Sequence, residues 1–253
     1  MEKYGLIGYP LGHSFSRKFF TEKFAREGIE AVYENYEIEQ ATALLDIVRD
    51  NPELRGLNCT IPHKQAILPL MDSLSDEARE IGAVNVIRIR RRPDGSPLLE
   101  GFNSDIIGFT RSIRPLLQPH HRRALILGTG GASKAISTGL TQLGLEWTFV
   151  SRSHRTRMLT YADITPELLR DYEVIVNCSP VGMYPHTDEA PALPYQALTE
   201  RHLLYDLVYN PEKTRFMKLG ALQGATVKNG LEMLYLQALA SWEIWNQSDD
   251  IKI

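Results

Sequence analysis

The 253-residue chain has only two cysteines, Cys59 and Cys178. They stand far apart, each inside an apolar strand-like run, which excludes a disulfide framework and the paired spacing of a zinc site. Both read as small buried hydrophobes, and no metal is expected. Long hydrophobic runs are also lacking: none approaches the ~20 residues that span a bilayer. The opening MEKYGLIGYP has neither the basic nor the apolar region of a secretory signal, so the expected location is cytoplasmic. Charge of one sign is missing too. Lys and Arg number 28 against 31 Asp and Glu, and the formal charge of −3 gives no footprint for nucleic acid or an anionic membrane. What remains is a small-molecule partner, with a monomer or homodimer as the expected assembly. The length is comfortable for two cores.

What the sequence does contain is a strand and helix alternation from its first residues. The segment 4–9 reads as a strand, 16–27 as a helix stopped by Gly28, 32–38 as a half-buried strand and 41–49 as a helix. LRGLNCTI returns to strand, and Pro62 is placed to open another helix. A helix at 76–81 and the run AVNVIRI follow. RRRPDGSP then marks a hairpin turn, its three arginines reading as a solvated rim. After a helix at 105–117, the polar break at 119–123 introduces a new rhythm, with strands at 124–128, 147–151, 174–178, 203–208 and 225–227 and helices between the first pairs. The last helix, 230–245, has too few polar positions for a free surface helix and is expected to return to the first half. The fold class is therefore α/β in two domains. Residues 1–105, completed by 230–253, form an α/β substrate domain, and 106–229 form a Rossmann-like, doubly wound dinucleotide domain.

ILGTGGASKA lies between a strand and a helix, the context in which glycines accommodate a pyrophosphate. Gly128, Gly130 and Gly131, followed by Ala132, permit close backbone approach at a helix start rich in free N–H groups. Ser133 departs from the strict pattern but is small. One strand later, where NAD-binding chains carry an acid for the ribose, this chain has FVSRSHRTR. Ser151, Arg152 and Ser153, with Arg155 and Arg157 behind them, suit a 2′-phosphate, so NADP (NADPH) is the expected cofactor. A plain glycine turn and a solvated basic loop are the bland alternatives.

In the first half, Ser14 and Ser16, then Asn58, Thr60 and Lys64, then Asn85, and finally Asn103 and Asp105 all fall at strand ends or strand-to-helix turns. Singly, each has an ordinary reading: Ser14, Ser16 and Asp105 as helix N-caps, Asn85 as a turn residue, Lys64 as a solvated lysine. Jointly they suit a small polyhydroxylated anion. Hydroxyls and amides can read its carboxylate and hydroxyls, and a lysine with a carboxylate partner can move a proton. His13 and His63 flank these motifs and read as structural.

GYPLGHSFS, GLNCTIPHK, IGAVN, GFNSDIIGF, LGTGGASKA, VNCSPVGM, YDLVYNP and GLEMLYLQA occur in the order found in shikimate dehydrogenases, which the chain resembles over nearly its whole length. The resemblance implies NADPH-dependent reduction of 3-dehydroshikimate to shikimate, on the route to chorismate and the aromatic amino acids. It implies Lys64 and Asp105 as the catalytic pair and Ser14, Ser16, Thr60, Asn85, Tyr209 and Gln237 around the substrate. The glycine turn, Arg152, Asn177, Ser179 and Gly230 would line the cofactor. Arg17, Ser151, Ser153, the displaced arginine at 155 or 157, and Glu232 depart from the family pattern. The rival readings are a quinate or dual quinate/shikimate dehydrogenase, with NAD or NADP as cofactor, a catalytically silent sensor, and an amide- or folate-handling dehydrogenase of similar layout.

Overall fold

The computed structural model describes residues 1–12 and 14–247. His13 and the end of the segment 230–253 lie outside the described residues. The chain divides into two compact units, one comprising Met1–Ser104 with the chain from Ala238, the other Asp105–Gln237.

The first unit runs β1 (Glu2–Gly8), α1 (Phe15–Glu27), β2 (Ala31–Glu37), α2 (Ala43–Asp50), β3 (Leu54–Cys59), β4 (Ser73–Leu74), α3 (Asp76–Ile81), β5 (Val86–Arg91) and β6 (Pro97–Phe102). Its sheet has the order β2-β1-β3-β5-β6-β4. The β2, β1 and β3 strands are parallel, and β5 runs antiparallel to both neighbours through the expected hairpin. One core joins Ile7, Leu57, Ile87 and Ile89 to Leu44 and Val48 of α2. An aromatic cluster joins Tyr4 and Tyr33 to Phe20 and Phe24 of α1 and to Trp242 and Trp245. The last helix does therefore bring its C-terminal half to this unit.

Three local expectations are corrected. Pro62 opens no α-helix: residues 61–67 form successive turns before a short 3-10 turn at Leu68–Leu70. The Lys64 carbonyl, which a helix would use internally, instead accepts from the Val84 N–H at 2.8 Å. The hairpin arginines are not a bare rim either. Arg90 reaches Glu100 at 2.9 Å, Arg91 donates to the Val48 carbonyl at 2.8 Å at the end of α2, and Arg92 meets Asp72 at 3.0 Å. Finally, α4 (Ser104–Ile113) stops early and gives way to a 3-10 turn at Arg114–Leu116, where Pro115 cannot donate to the ladder.

The second unit continues with β7 (Arg123–Leu127), α5 (Gly131–Gln142), β8 (Glu146–Ser151), β9 (Leu159–Thr160), α6 (Pro166–Leu169), β10 (Val174–Asn177), β11 (Leu203–Asp206), α7 (Arg215–Leu222), β12 (Thr226–Lys228) and α8 (Leu231–Asn246). Every strand pair is parallel, in the order β12-β11-β10-β7-β8-β9. This is the doubly wound order, with its reversal between β7 and β10. Along β7 the side chains alternate between two cores, Ala124 and Ile126 to one face, Leu125 and Leu127 to the other, as a sheet covered on both sides requires. The helix expected between β8 and β10 shrinks to α6, a single turn capped by Thr165. Its Leu169 carbonyl is taken by the His202 ring at 3.0 Å rather than by a further helical turn.

Candidate active site

Ser14 is the N-cap of α1: its hydroxyl accepts from the Arg17 N–H at 3.1 Å. The cap uses the oxygen as acceptor, and among the described residues nothing accepts its O–H, which leaves a donor for a carboxylate. Ser16 is not a cap; it lies inside the first turn against the Tyr33 phenol. Burial pushes the Tyr33 pKa up, so that phenol stays protonated.

Thr60 leaves β3 with its N–H on the Ile7 carbonyl at 2.9 Å. A Cβ at Gly8 would stand 2.5 Å from the Thr60 methyl, so the glycine is what lets the ends of β1 and β3 close together. His63 is 3% exposed and its Nε2 meets the Ile38 carbonyl at 2.6 Å, a structural role. Lys64 follows, half-buried, on a turn pinned by its own backbone carbonyl.

Asn85 is buried directly before β5, with its N–H on the Phe102 carbonyl. Its amide oxygen accepts from the Ser104 N–H at 2.7 Å, and its amide nitrogen donates to the Ser104 hydroxyl at 3.1 Å. Ser104 begins α4, which makes Asp105 the second helical residue rather than the cap, 9% exposed in the first turn. In the second unit α4 packs against α8 at Gly108, where a Cβ would lie 2.6 Å from the Met233 carbonyl oxygen and 3.0 Å from the Gln237 Cβ. Tyr209 is 44% exposed on the loop after β11.

At the reversal of the second sheet, Gly128 has φ +102°, a left-handed conformation that favours glycine, and it passes close to the Ser179 backbone N–H. Gly130 caps α5. A Cβ at Gly130 or Gly131 would have no atom from elsewhere in the described residues within 4 Å. Packing does not explain these two glycines, which leave the helix N-terminus open. Ala132 continues the turn, and the Ser133 hydroxyl donates to the Gly130 carbonyl at 2.6 Å, so the departure at that position ties the loop to its helix. Beyond β8, Ser151 is buried and accepts from the Ser153 N–H at 3.4 Å. Arg152, Arg155 and Arg157 are exposed, and none has an ion-pair partner among the described residues. Such unneutralised guanidinium groups fit a phosphate.

The family model for the shikimate dehydrogenase substrate binding domain matches residues 6–87. A shikimate dehydrogenase (NADP(+)) of Clostridium beijerinckii is 34% identical over 98% of this chain and 93% of its own length. The chain belongs to the shikimate dehydrogenase family. Among solved structures, shikimate 5-dehydrogenase of Thermus thermophilus, in complex with NADP(H) and shikimate, superposes with a TM-score of 0.82 at 30% identity, covering 97% of this chain and 94% of that one. The ligand-free form of 5-ketofructose reductase of a Gluconobacter strain is similarly alike, with a TM-score of 0.84 at 28% identity over 97% and 92%.

Two residues that the family resemblance places around the nicotinamide end are tightly held by the protein itself in this shikimate dehydrogenase family member. Asn177 is fully buried and its amide is spent. It donates to Asp206 at 2.9 Å and to the Val181 carbonyl, and it accepts from the Ser179 hydroxyl at 2.6 Å, so it shapes the turn that presents Ser179. Gly230 lacks a side chain because the Leu207 carbonyl occupies that space. Glu232, for which the sequence offered no reason, forms an ion pair with Lys228 and lies in the first turn of α8, where a carboxylate suits the helix dipole. The sequence reading missed Asp206 altogether. It is fully buried, bonded to Thr214, Asn177 and the Val208 N–H, and burial raises its pKa to about 6. A lone acid at the end of a buried apolar strand was the available signal.

Proposed function

We propose that the protein is an NADP-dependent shikimate dehydrogenase that interconverts 3-dehydroshikimate and shikimate, serving aromatic amino acid biosynthesis. The observation that carries the reading is the C-terminal edge of the parallel sheet, where two glycines after β7 face open space and three arginines after β8 lack acidic partners among the described residues. In this reading Gly128, Gly130, Gly131 and Ala132 hold the pyrophosphate, and Arg152, with Ser151, Ser153 and Arg155, holds the 2′-phosphate. Asn177, Ser179 and Gly230 lie around the nicotinamide end, with Asn177 shaping the turn that presents Ser179. When bound, NADP(H) supplies or takes the hydride.

The chain's own residues manage orientation and the proton. Ser14, Ser16 and Tyr209 bind the carboxylate, and Thr60, Asn85 and Gln237 bind ring hydroxyls or the carboxylate. Lys64, coupled to Asp105, gives a proton to the oxygen of the carbon that is reduced and takes it back in the reverse direction. Asp105 suits this part because Ser104, the residue before it, is fixed by Asn85 at both its N–H and its hydroxyl. The likeness to 5-ketofructose reductase marks the substrate as the point of choice within this fold, and the Ser14 hydroxyl, whose O–H has no acceptor among the described residues, favours a carboxylate-bearing substrate. Lys64→Ala should lower kcat by about 10²–10⁴-fold with little change in the KM for NADP. A variant with near-wild-type kcat would remove the assignment.

A further inference from the structure

Behind the proposed substrate residues, the first unit contains a buried polar chain. Tyr33 donates to the Asn58 amide oxygen at 2.8 Å, and the Asn58 amide nitrogen donates to the Ser241 hydroxyl at 2.9 Å. The Ser241 and Ser104 hydroxyls stand 3.2 Å apart, and Ser104 holds both ends of the Asn85 amide. Asn58 is 6% exposed, Asn85 3%, and Ser104 and Ser241 not at all. The chain runs beside an aromatic cluster of Tyr4, Phe20, Trp242 and Trp245.

Polar groups in such a place contribute little net stability over apolar groups of the same shape, and they cost energy if one partner is lost. What they do supply is a fixed orientation. This chain begins at Tyr33, against which Ser16 lies, and ends at Asn85 and at the residue before Asp105.

We propose that Ser241, acting through Asn58 and Ser104, is a positioning residue for the substrate: it sets the Asn85 amide and the start of the helix that carries Asp105. The inference rests on the reading of Asn85 as a substrate-binding residue. Ser241 itself is fully buried and would act only through its neighbours. Replacing it leaves the Asn58 amide nitrogen with the long bond, 3.4 Å, to the Asn85 carbonyl, and leaves Ser104 with one fewer partner.

The test is a double-mutant cycle of Ser241→Ala and Asn85→Ala, read as KM for shikimate and KM for NADP, with thermal unfolding measured alongside. Ser241→Ala should raise the shikimate KM by about 3- to 10-fold, the size of one lost hydrogen bond, and leave the NADP KM unchanged. In the Asn85→Ala background it should raise the shikimate KM no further. Multiplicative effects, or no effect of Ser241→Ala alone, would overturn the positioning role while leaving Asn85 as a ligand. If Asn85→Ala by itself leaves the shikimate KM unchanged, the reading of Asn85 falls instead. Should Ser241→Ala not fold, Tyr33→Phe removes the donor at the far end of the chain and keeps the stacking of the ring on Phe20, and its cycle with Asn85→Ala is read the same way.

Discussion

Gly108 of α4 and Gln237 of α8 approach so closely that a Cβ on the glycine would stand 3.0 Å from the Gln237 Cβ and 3.1 Å from its backbone nitrogen. The same Cβ would lie 2.6 Å from the Met233 carbonyl oxygen, a backbone atom that can yield only if the helix moves. Asp105 precedes Gly108 by one turn, so the contact fixes the spacing between the helices that carry Asp105 and Gln237. Gly108→Ala should therefore destabilise the protein by about 1–3 kcal/mol in urea denaturation and lower kcat/KM for shikimate. Unchanged stability would mean that the helices are not held at this distance.

The glycines of the phosphate turn separate into two kinds. Gly128 is required by its own backbone, φ +102°, whereas Gly130 and Gly131 face open space. Gly128→Ala should lower the thermal midpoint of the cofactor-free protein. Gly130→Val should leave that midpoint unchanged and raise the KM for NADP. Equal loss of stability in both would show that protein packing, not a ligand, fills the space over α5.

Arg152 belongs to a loop whose arginines lack acidic partners among the described residues. Charge-assisted hydrogen bonds to a phosphate are worth about 1.5–3 kcal/mol, so Arg152→Ala should raise the KM for NADP by about 10- to 100-fold and leave the KM for NAD nearly unchanged. Parallel losses with both cofactors would assign the arginine to something other than the 2′-phosphate. The same comparison on Arg155→Ala and Arg157→Ala would rank the displaced arginines.

Asp206 gives a pH signature. Desolvation raises its folded pKa from 3.8 to about 6, so the native state holds its proton to a higher pH than the unfolded chain does. Its contribution to stability is fully present below pH 3.8 and is lost as pH rises through about 6. The change is on the order of 3 kcal/mol. The stability of the wild type relative to Asp206→Asn, from urea denaturation between about pH 4 and 7.5, should fall across that window and level off above it. A difference that rises with pH would mean that the hydrogen bonds from Thr214, Asn177 and Val208 outweigh burial.

Much of this architecture was legible in the sequence because its signals are local. Alternating apolar residues mark the strands, Gly28 stops α1 at φ +64°, and the Asp94 and Gly95 turn makes the hairpin. The errors arose where distant partners decide. Pro62 looks like a helix start, but Val84, far along the chain, claims the Lys64 carbonyl. Arg90 to Arg92 look solvated until Glu100, the end of α2 and Asp72 meet them. In the site, residue types at strand ends were readable, yet the exhausted amide of Asn177 and the Asn58 to Ser241 link, across 183 positions, exist only in the folded chain.

The measurement that tests the account most directly is the initial rate of NADP reduction with shikimate, run beside NAD and beside quinate. Turnover with shikimate and NADP is expected, far above that with either substitute. Turnover only with quinate or NAD would contradict it, as would binding of cofactor and shikimate with no reduction at all.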